Sequence, residues 1–245
     1  MSRTDPAGPE LARLARLLAD DTRATFCLAL LDGRAWTASE LAAHAGVAAS
    51  TATGHLNLLV TEGLLAEHRQ GRHRYLSLAS AEIAELIESL AALAPRRAQR
   101  PHSLSGAVRR QSLAAARTCY DHLAGALGVA IADAMTGRGH LDADRGLALT
   151  ASGADWLAGV GITLPPAARR PVTRACLDWT ERRPHVAGSL GAALCEHALA
   201  TAWITRKPAS RAVCVTEAGR RALRDHFAVP DEILASAGPR GSAAS

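Results

Sequence analysis

Between residues 37 and 78 the apolar pattern changes its period in a fixed order, and that order admits few folds. TASELAAHAG opens with Thr37 and Glu40 three positions apart, the spacing of a reciprocal helix cap, and closes at Gly46, which supplies a tight turn. AASTATGHLNLLVTEG follows, with Leu56, Leu59 and Val60 on one helical face. LLAEHR and HRYLSL come next, parted by QG, and read as two strands of a hairpin with Gly71 at positive φ. Helix, glycine turn, helix and hairpin make a winged helix-turn-helix.

The flanks fit this reading. ELARLARLLA places Leu11, Leu14 and Leu18 on one helical face with Arg13 and Arg16 opposite. TRATFCLALLDG predicts a helix that starts near Asp21 and ends at Gly33. SAEIAELIESLAAL predicts an amphipathic helix with Ile83, Leu86, Ile87 and Leu90 on its apolar side.

LARLLADDTRATFCLALLDG, ELAAHAGVAASTATGHLNLLVTEGLL and the wing EHRQGRHRYLSL, in this order, resemble the ArsR/SmtB family of bacterial repressors over residues 10 to 94, and within it the cadmium- and lead-sensing CmtR branch. The resemblance implies a homodimer that binds double-stranded DNA. Its first and last helices would pair across a two-fold axis, using the apolar faces of residues 11 to 18 and 83 to 93.

A helix in the major groove presents side chains to base edges. The outward positions of the second helix of the motif are Ser50, Thr51, Thr53, Gly54, His55 and Asn57, small donors and acceptors suited to bases or phosphates. The wing adds Arg69, Arg72, His73 and Arg74 beside His68, a basic ribbon able to grip phosphates or enter the minor groove. The alternative for both is an ordinary solvated face. This helix departs from the family in having Ala48 and Ala49 where many members carry a capping hydroxyl and a base. It holds no Arg or Lys, so affinity is expected to rest on the wing and on Arg23 or Arg34.

The formal charge is +5, and all its lysine and arginine except Lys207 is arginine. A basic balance suits a phosphate-bearing partner. Aromatics are only 3%, and the alanine- and leucine-rich remainder favours helices. The N-terminal MSRTDPAGPE lacks an apolar segment, and no run of about eighteen apolar residues occurs, so neither a signal peptide nor a membrane span is expected. Five irregularly spaced cysteines point to reduced thiols and a cytoplasmic location.

The metal sites that the resemblance implies do not survive. The helix before the recognition helix has no cysteine, the CmtR-type cysteine positions hold Leu58 and Glu62, and the last helix of the block has no histidine. Cys27, in the apolar TFCLALL, reads as an inert buried thiol.

The second half repeats itself. Arg117, Cys119 and Asp121 recur as Arg174, Cys176 and Asp178, and HLAGALG from His122 recurs as HVAGSLG from His185, with an insertion around WTERRP between them. His122 thus has two counterparts, Trp179 or His185. LTASG at 149 is echoed by VTEAG at 215, where Thr150 and Thr216 suit helix N-caps after the hairpin candidates GHLDADRGLALT and AWITR–RAVCVT. Each copy is expected to be helix, hairpin, helix, with Cys119 and His122 on one helical face. Three readings stay open: plain duplicated scaffold; a sensor built from Cys119, His122 and Cys176, whose thiols a pseudo-two-fold would bring together; or a metal or cofactor site using His122, His185, Cys195 or His197.

The expected fold is mostly α with small β-hairpins: an N-terminal winged helix-turn-helix plus a C-terminal helical domain of two wing-like repeats. The boundaries are a disordered tail at 1–9, the DNA-binding domain at 10–94, a basic linker at 95–106, a duplicated effector or dimerisation domain at 107–230, and a disordered tail at 231–245. The expected function is a dimeric DNA-binding repressor, not an enzyme, relieved by a metal, a thiol-reactive species or another small effector. No nucleophile elbow, phosphate loop or paired-carboxylate motif occurs. Two alternatives are a DNA-tethered domain that binds or transforms a small molecule, and an architectural protein that binds DNA without sequence preference.

Overall fold

In the computed structural model, which describes residues 8–71, 73–95, 104–165 and 170–239, α1 (Gly8–Leu18) passes into α2 (Asp21–Leu30) through Asp20. The Asp20 carboxylate accepts the Arg23 amide at 2.9 Å and so caps α2. β1 (Trp36–Thr37), α3 (Ala38–Ala45), α4 (Ala49–Thr61), β2 (Leu65–Gln70), β3 (His73–Leu78) and α5 (Ala81–Leu93) follow. Thr37 and Glu40 form the expected capping box, and Gly46 ends α3 at φ 67°. The wing is antiparallel, with Gln70 opposite His73 and Gly71 at φ 57°. β1, which the sequence reading did not include, adds a third strand to give the order β1-β3-β2. Phe26, Leu30, Leu41, Leu56, Leu59 and Leu76 form the core of this first unit, each at most 1% exposed. At roughly 1.5–3 kcal/mol for each such side chain buried, this packing outweighs the weak intrinsic preferences of the short helices.

The chain divides after Ile87, within α5, rather than at residue 94. The second unit begins at Glu88, whose carboxylate is buried and bonded to Cys119, Trp179 and Arg211 further along the chain. α6 (Leu104–Ala115) leads into β4 (Arg117–Cys119), β5 (His122–Ala124), α7 (Gly125–Gly137), β6 (Leu141–Asp142), β7 (Ala148–Leu149) and α8 (Ala151–Val160). The second copy runs β8 (Arg174–Leu177), β9 (Pro184–Ala187), α9 (Gly188–Ala200), β10 (Ile204–Arg206), β11 (Val213–Val215) and α10 (Glu217–Phe227), and α11 (Asp231–Ser236) closes the chain.

Each copy is therefore hairpin, helix, hairpin, helix. The helical reading of residues 117 to 122 is corrected: Cys119 pairs with His122 across a two-residue turn in which Tyr120 has φ 57°, a conformation no helix tolerates. The later part of each copy is as expected. Thr150 and Thr216 cap α8 and α10, accepting the Gly153 and Gly219 amides at 3.0 Å each.

The two copies exchange partners, α7 packing on β9 and α9 on β5. A small cavity at their meeting point is lined by Leu123, Gly128 and Ile131 and by Val186, Gly191 and Leu194, each of the latter 63 residues after its counterpart. α7 and α9 are buried on nearly every side, which explains their uniformly apolar, glycine-containing sequences.

The expected tails change as well. Gly8 and Pro9 already belong to α1, and residues 1–7 lie outside the described residues. Residues 231–239 are ordered by burial, since Leu234 and Ala237 are at most 3% exposed and the Val215 amide donates to the Ala237 carbonyl at 2.8 Å. Residues 240–245, and 96–103 of the expected linker, lie outside the described residues. Among the described residues, no helix is long and apolar enough to cross a membrane.

A Cβ on Gly191 would lie 2.9 Å from the Cβ of His122 and closer still to the Val186 carbonyl. Gly191→Ala is expected to destabilise the protein by about 1–3 kcal/mol, read as an earlier midpoint in urea unfolding followed by near-ultraviolet circular dichroism.

Candidate functional site

On α4 the residues Ser50, Thr51, Thr53, Gly54 and Asn57 are exposed, while Ala52, Leu56 and Leu59 hold the opposite face in the core. The Thr53 hydroxyl donates to the Ala49 carbonyl at 2.8 Å. Ala48 offers no side-chain cap, so the first amides of α4 stay open to water or to an anion. Asn57 accepts from Arg74 of the wing at 2.8 Å, joining helix and ribbon. Glu67 accepts from Arg69 and from Arg74 at 2.8 Å each, and these bonds, that to Arg69 foremost, hold its carboxyl below the usual range. Arg69 and Arg74 stand opposite one another in the ladder, so Glu67 relieves a like-charge pair. His73 is exposed, and Arg72 lies outside the described residues.

Two expected contributors are otherwise engaged. Arg23 donates to the carbonyls of Leu17 at 2.6 Å and Arg16 at 2.9 Å, closing the end of α1, and lies 3.2 Å from His55. Its guanidinium is bonded within the fold, and His55 is half-buried beside it. Arg34 lies over the Trp36 ring at 5.7 Å.

The second unit brings the two copies of the repeated motif together. Cys119 faces His122 across β4–β5, and Cys176 faces His185 across β8–β9. One ligand atom from each of these four lies within 4.8 Å of all the others. All four are buried: Cys119 2%, His122 1%, Cys176 9% and His185 1% exposed. The Nε2 atoms of the two histidines are 3.1 Å apart, with their rings stacked at 5.0 Å. His185, not Trp179, is thus the counterpart of His122. The proposed alternatives Cys195 and His197 are not in the cluster. Cys195 is in the main core, its thiol pushed to about 11 by burial, and His197 sits edge-on to Trp203.

Outside the four stand carboxylates. Asp121 Oδ1 is 3.3 Å from His122 Nδ1, and Arg170 holds Asp121 at 2.6 Å. Asp178 Oδ2 is 3.8 Å from His185 Nδ1. The Cys119 thiol donates to Glu88 at 2.8 Å. The neighbouring Cys176 thiol, and then burial, push Cys119 well above the ordinary thiol range, the reverse of what a reactive thiolate switch needs.

Arg117 anchors this arrangement. It is 1% exposed, 2.9 Å from Asp178 and 3.5 Å from Glu88, with its guanidinium over the Trp179 ring at 5.2 Å. Asp178 also accepts from the Gly125 amide at 2.7 Å and from the Thr180 hydroxyl at 2.6 Å. Burial alone would raise the Asp178 carboxyl, but Arg117, Thr180 and the amides of Glu181 and Gly125 bring it to about 2. Glu88 accepts from Arg211 at 2.7 Å and from the Trp179 indole at 3.1 Å.

A family model described as a helix-turn-helix domain matches residues 18–68. The uncharacterized HTH-type transcriptional regulator YdfF of Bacillus subtilis is 39% identical over 224 residues, covering 90% of this chain and 98% of its own. The chain belongs to the HTH-type transcriptional regulators, with an ArsR/SmtB-like winged helix-turn-helix. The HTH-type transcriptional regulator CmtR of Mycobacterium tuberculosis is 40% identical over 80 residues, 33% of this chain and 67% of CmtR. The NMR structure of this cadmium metal-sensor is 36% identical, covers 38% of this chain and 96% of its own, and superposes with a TM-score of 0.30. The match to YdfF spans 90% of this chain and so takes in most of the second unit as well as the first.

Sequence reasoning named all four cluster residues but never as one set, and it missed Glu88 and the structural use of Arg117. A legible signal was the pairing itself: each copy carries a Cys and a His at the start of HxAGxLG. Arg117→Ala would leave Asp178 and Glu88 buried short of their countercharge. It is expected to cost about 3–5 kcal/mol, seen as a lowered unfolding midpoint, whereas an unchanged midpoint would show that the network adds nothing.

Proposed function

We propose that this DNA-binding transcriptional regulator works as a homodimeric repressor: α4 enters the major groove, the β2–β3 wing holds flanking phosphates, and the second unit receives the effector. The observation that carries this reading is the neutral, exposed face of α4 tied by Asn57 to Arg74 of a basic ribbon. Phosphate contacts from Arg69, Arg72, His73 and Arg74 would set position, and Ser50, Thr51, Thr53, Gly54 and Asn57 would meet bases or backbone. His55 supports this surface from behind. Leu11, Leu90 and Leu93 are 68%, 45% and 74% exposed on α1 and α5, apolar surface that a second copy would cover.

The second unit is read as a binding module. Its buried carboxylates are bonded to arginines and amides, which leaves them poorly placed for proton transfer. An effector would relieve repression by binding the DNA-free arrangement more tightly.

Footprinting on DNA flanking its own gene tests the reading, with bulk DNA as competitor. Protection of a discrete site is expected; equal affinity for bulk DNA would favour the architectural alternative. Binding should weaken steeply with salt, by about 0.9 in log–log slope per phosphate engaged, and Arg69→Ala should lower that slope by about 1 across sequences.

Gly54 gives a sharper test. A Cβ there meets nothing within 4 Å, so packing does not explain a glycine inside α4. Gly54→Ala should stabilise the fold by about 0.5–1 kcal/mol yet weaken operator binding, because DNA approaches the backbone there. A variant that is stabilised and binds as before would remove Gly54 from the interface.

A further inference from the structure

We propose that Cys119, His122, Cys176 and His185 hold one zinc ion that clamps the two repeats of the second unit together. The inference rests on that unit alone and is independent of how the protein meets DNA.

The donor set comes first. Two thiols and two imidazoles converge within 4.8 Å of one another, each at most 9% exposed. Two sulfurs and two nitrogens are the ligands of a tetrahedral structural zinc, and such a tetrahedron has edges of roughly 3.3 to 3.8 Å. The 3.1 Å between the two Nε2 atoms is close to the nitrogen–nitrogen edge. Two thiolates balance the ion's double charge, so a buried centre of this kind is neutral overall. On binding, two S–H bonds break, two S–Zn bonds form, and two protons pass to solvent.

The surroundings point the same way. A metal-bound imidazole commonly gives its other ring nitrogen to a carboxylate, which fixes the tautomer. His122 has Asp121 at 3.3 Å from Nδ1, itself pinned by Arg170. His185 has Asp178 at 3.8 Å from Nδ1, and that nitrogen is buried with no hydrogen bond among the described residues. Both histidines thus turn Nε2 toward the centre from opposite repeats. Gly191 makes room: a Cβ there would lie 2.9 Å from the Cβ of His122, whereas at Gly128 the tight neighbour is the Leu123 carbonyl and the Cβ of His185 stands at ordinary contact, 3.7 Å.

The positions differ from those implied by resemblance to known sensors. The helix that would carry a CmtR-type pair has Leu58 and Glu62, while these four residues lie on the β4–β5 and β8–β9 hairpins of the second unit.

The test uses the full chain, purified under reducing conditions and stripped with a chelator. Zinc titrated against a chromophoric competitor should bind at one ion per chain with a Kd of about 1 µM or tighter. Cobalt in its place should give tetrahedral d–d bands with a thiolate-to-cobalt charge-transfer band. Cys176→Ser should lose at least about tenfold in affinity and part of that band, while Cys214→Ser, outside the cluster, should keep both. Sub-stoichiometric uptake, a cobalt spectrum without the thiolate band, equal binding by Cys176→Ser, or a Cys119–Cys176 disulfide that survives reductant would each overturn the proposal. If Cys176→Ser does not fold, the parent titration and spectrum decide.

Discussion

A guanidinium with 1% of its surface in water keeps its proton and must be matched by negative charge. Arg117 meets that demand with Asp178 and Glu88, residues that lie 61 positions ahead and 29 behind in the sequence. One buried side chain therefore ties the first hairpin of the second unit to the turn of its partner hairpin and to the end of α5. Desolvation costs several kcal/mol per ion, offset here by the Nη hydrogen bonds to Asp178, Thr180 and the Leu113 carbonyl, while Nε lies 3.5 Å from Glu88 without a hydrogen bond. Its carboxylates also touch the cluster, Glu88 accepting from Cys119 and Asp178 lying beside His185. Two of the four Cys and His side chains, Cys119 and His185, thus stand directly beside these ion pairs.

The duplication supplies the symmetry and the insertion breaks it. Cysteine, histidine and glycine recur in both copies, so each hairpin offers a Cys/His pair, and Gly191 of α9 leaves a notch for His122 of the other copy. Arg174, the counterpart of Arg117, is exposed instead. The difference follows from the longer β8–β9 turn, which provides Asp178, Trp179 and Thr180 to surround Arg117. For a regulator this matters because a unit made of two exchanged halves has a seam, and a ligand that bridges a seam shifts any equilibrium in which the seam opens.

The first unit was legible because its signals are local. Thr37–Glu40 spacing, Gly46, Gly71 and a 3.6-residue apolar period each act over a few residues, and each appears as expected. β1 escaped notice because two residues carry no period, and only pairing with Leu76 and Tyr75 defines it. In the second unit the repeat and its threonine caps were readable, but residues 117–122 were not. Cys119 and His122 are three apart, which suits a helix turn as well as a tight hairpin, and the choice is made by the burial of both strands. The convergence of Cys119, His122, Cys176 and His185 depends on the cross-packing of the two repeats, which no local pattern encodes. The bonds that Arg23 makes to the Leu17 and Arg16 carbonyls are likewise set by the fold and leave no trace in the sequence.

The central claim is that duplication has built one four-ligand centre from two incomplete halves. X-ray absorption at the zinc edge of the loaded full-length protein measures this most directly. Two sulfurs at about 2.3 Å and two nitrogens at about 2.0 Å are the predicted shell. A six-coordinate shell of oxygen and nitrogen, without sulfur, would contradict it.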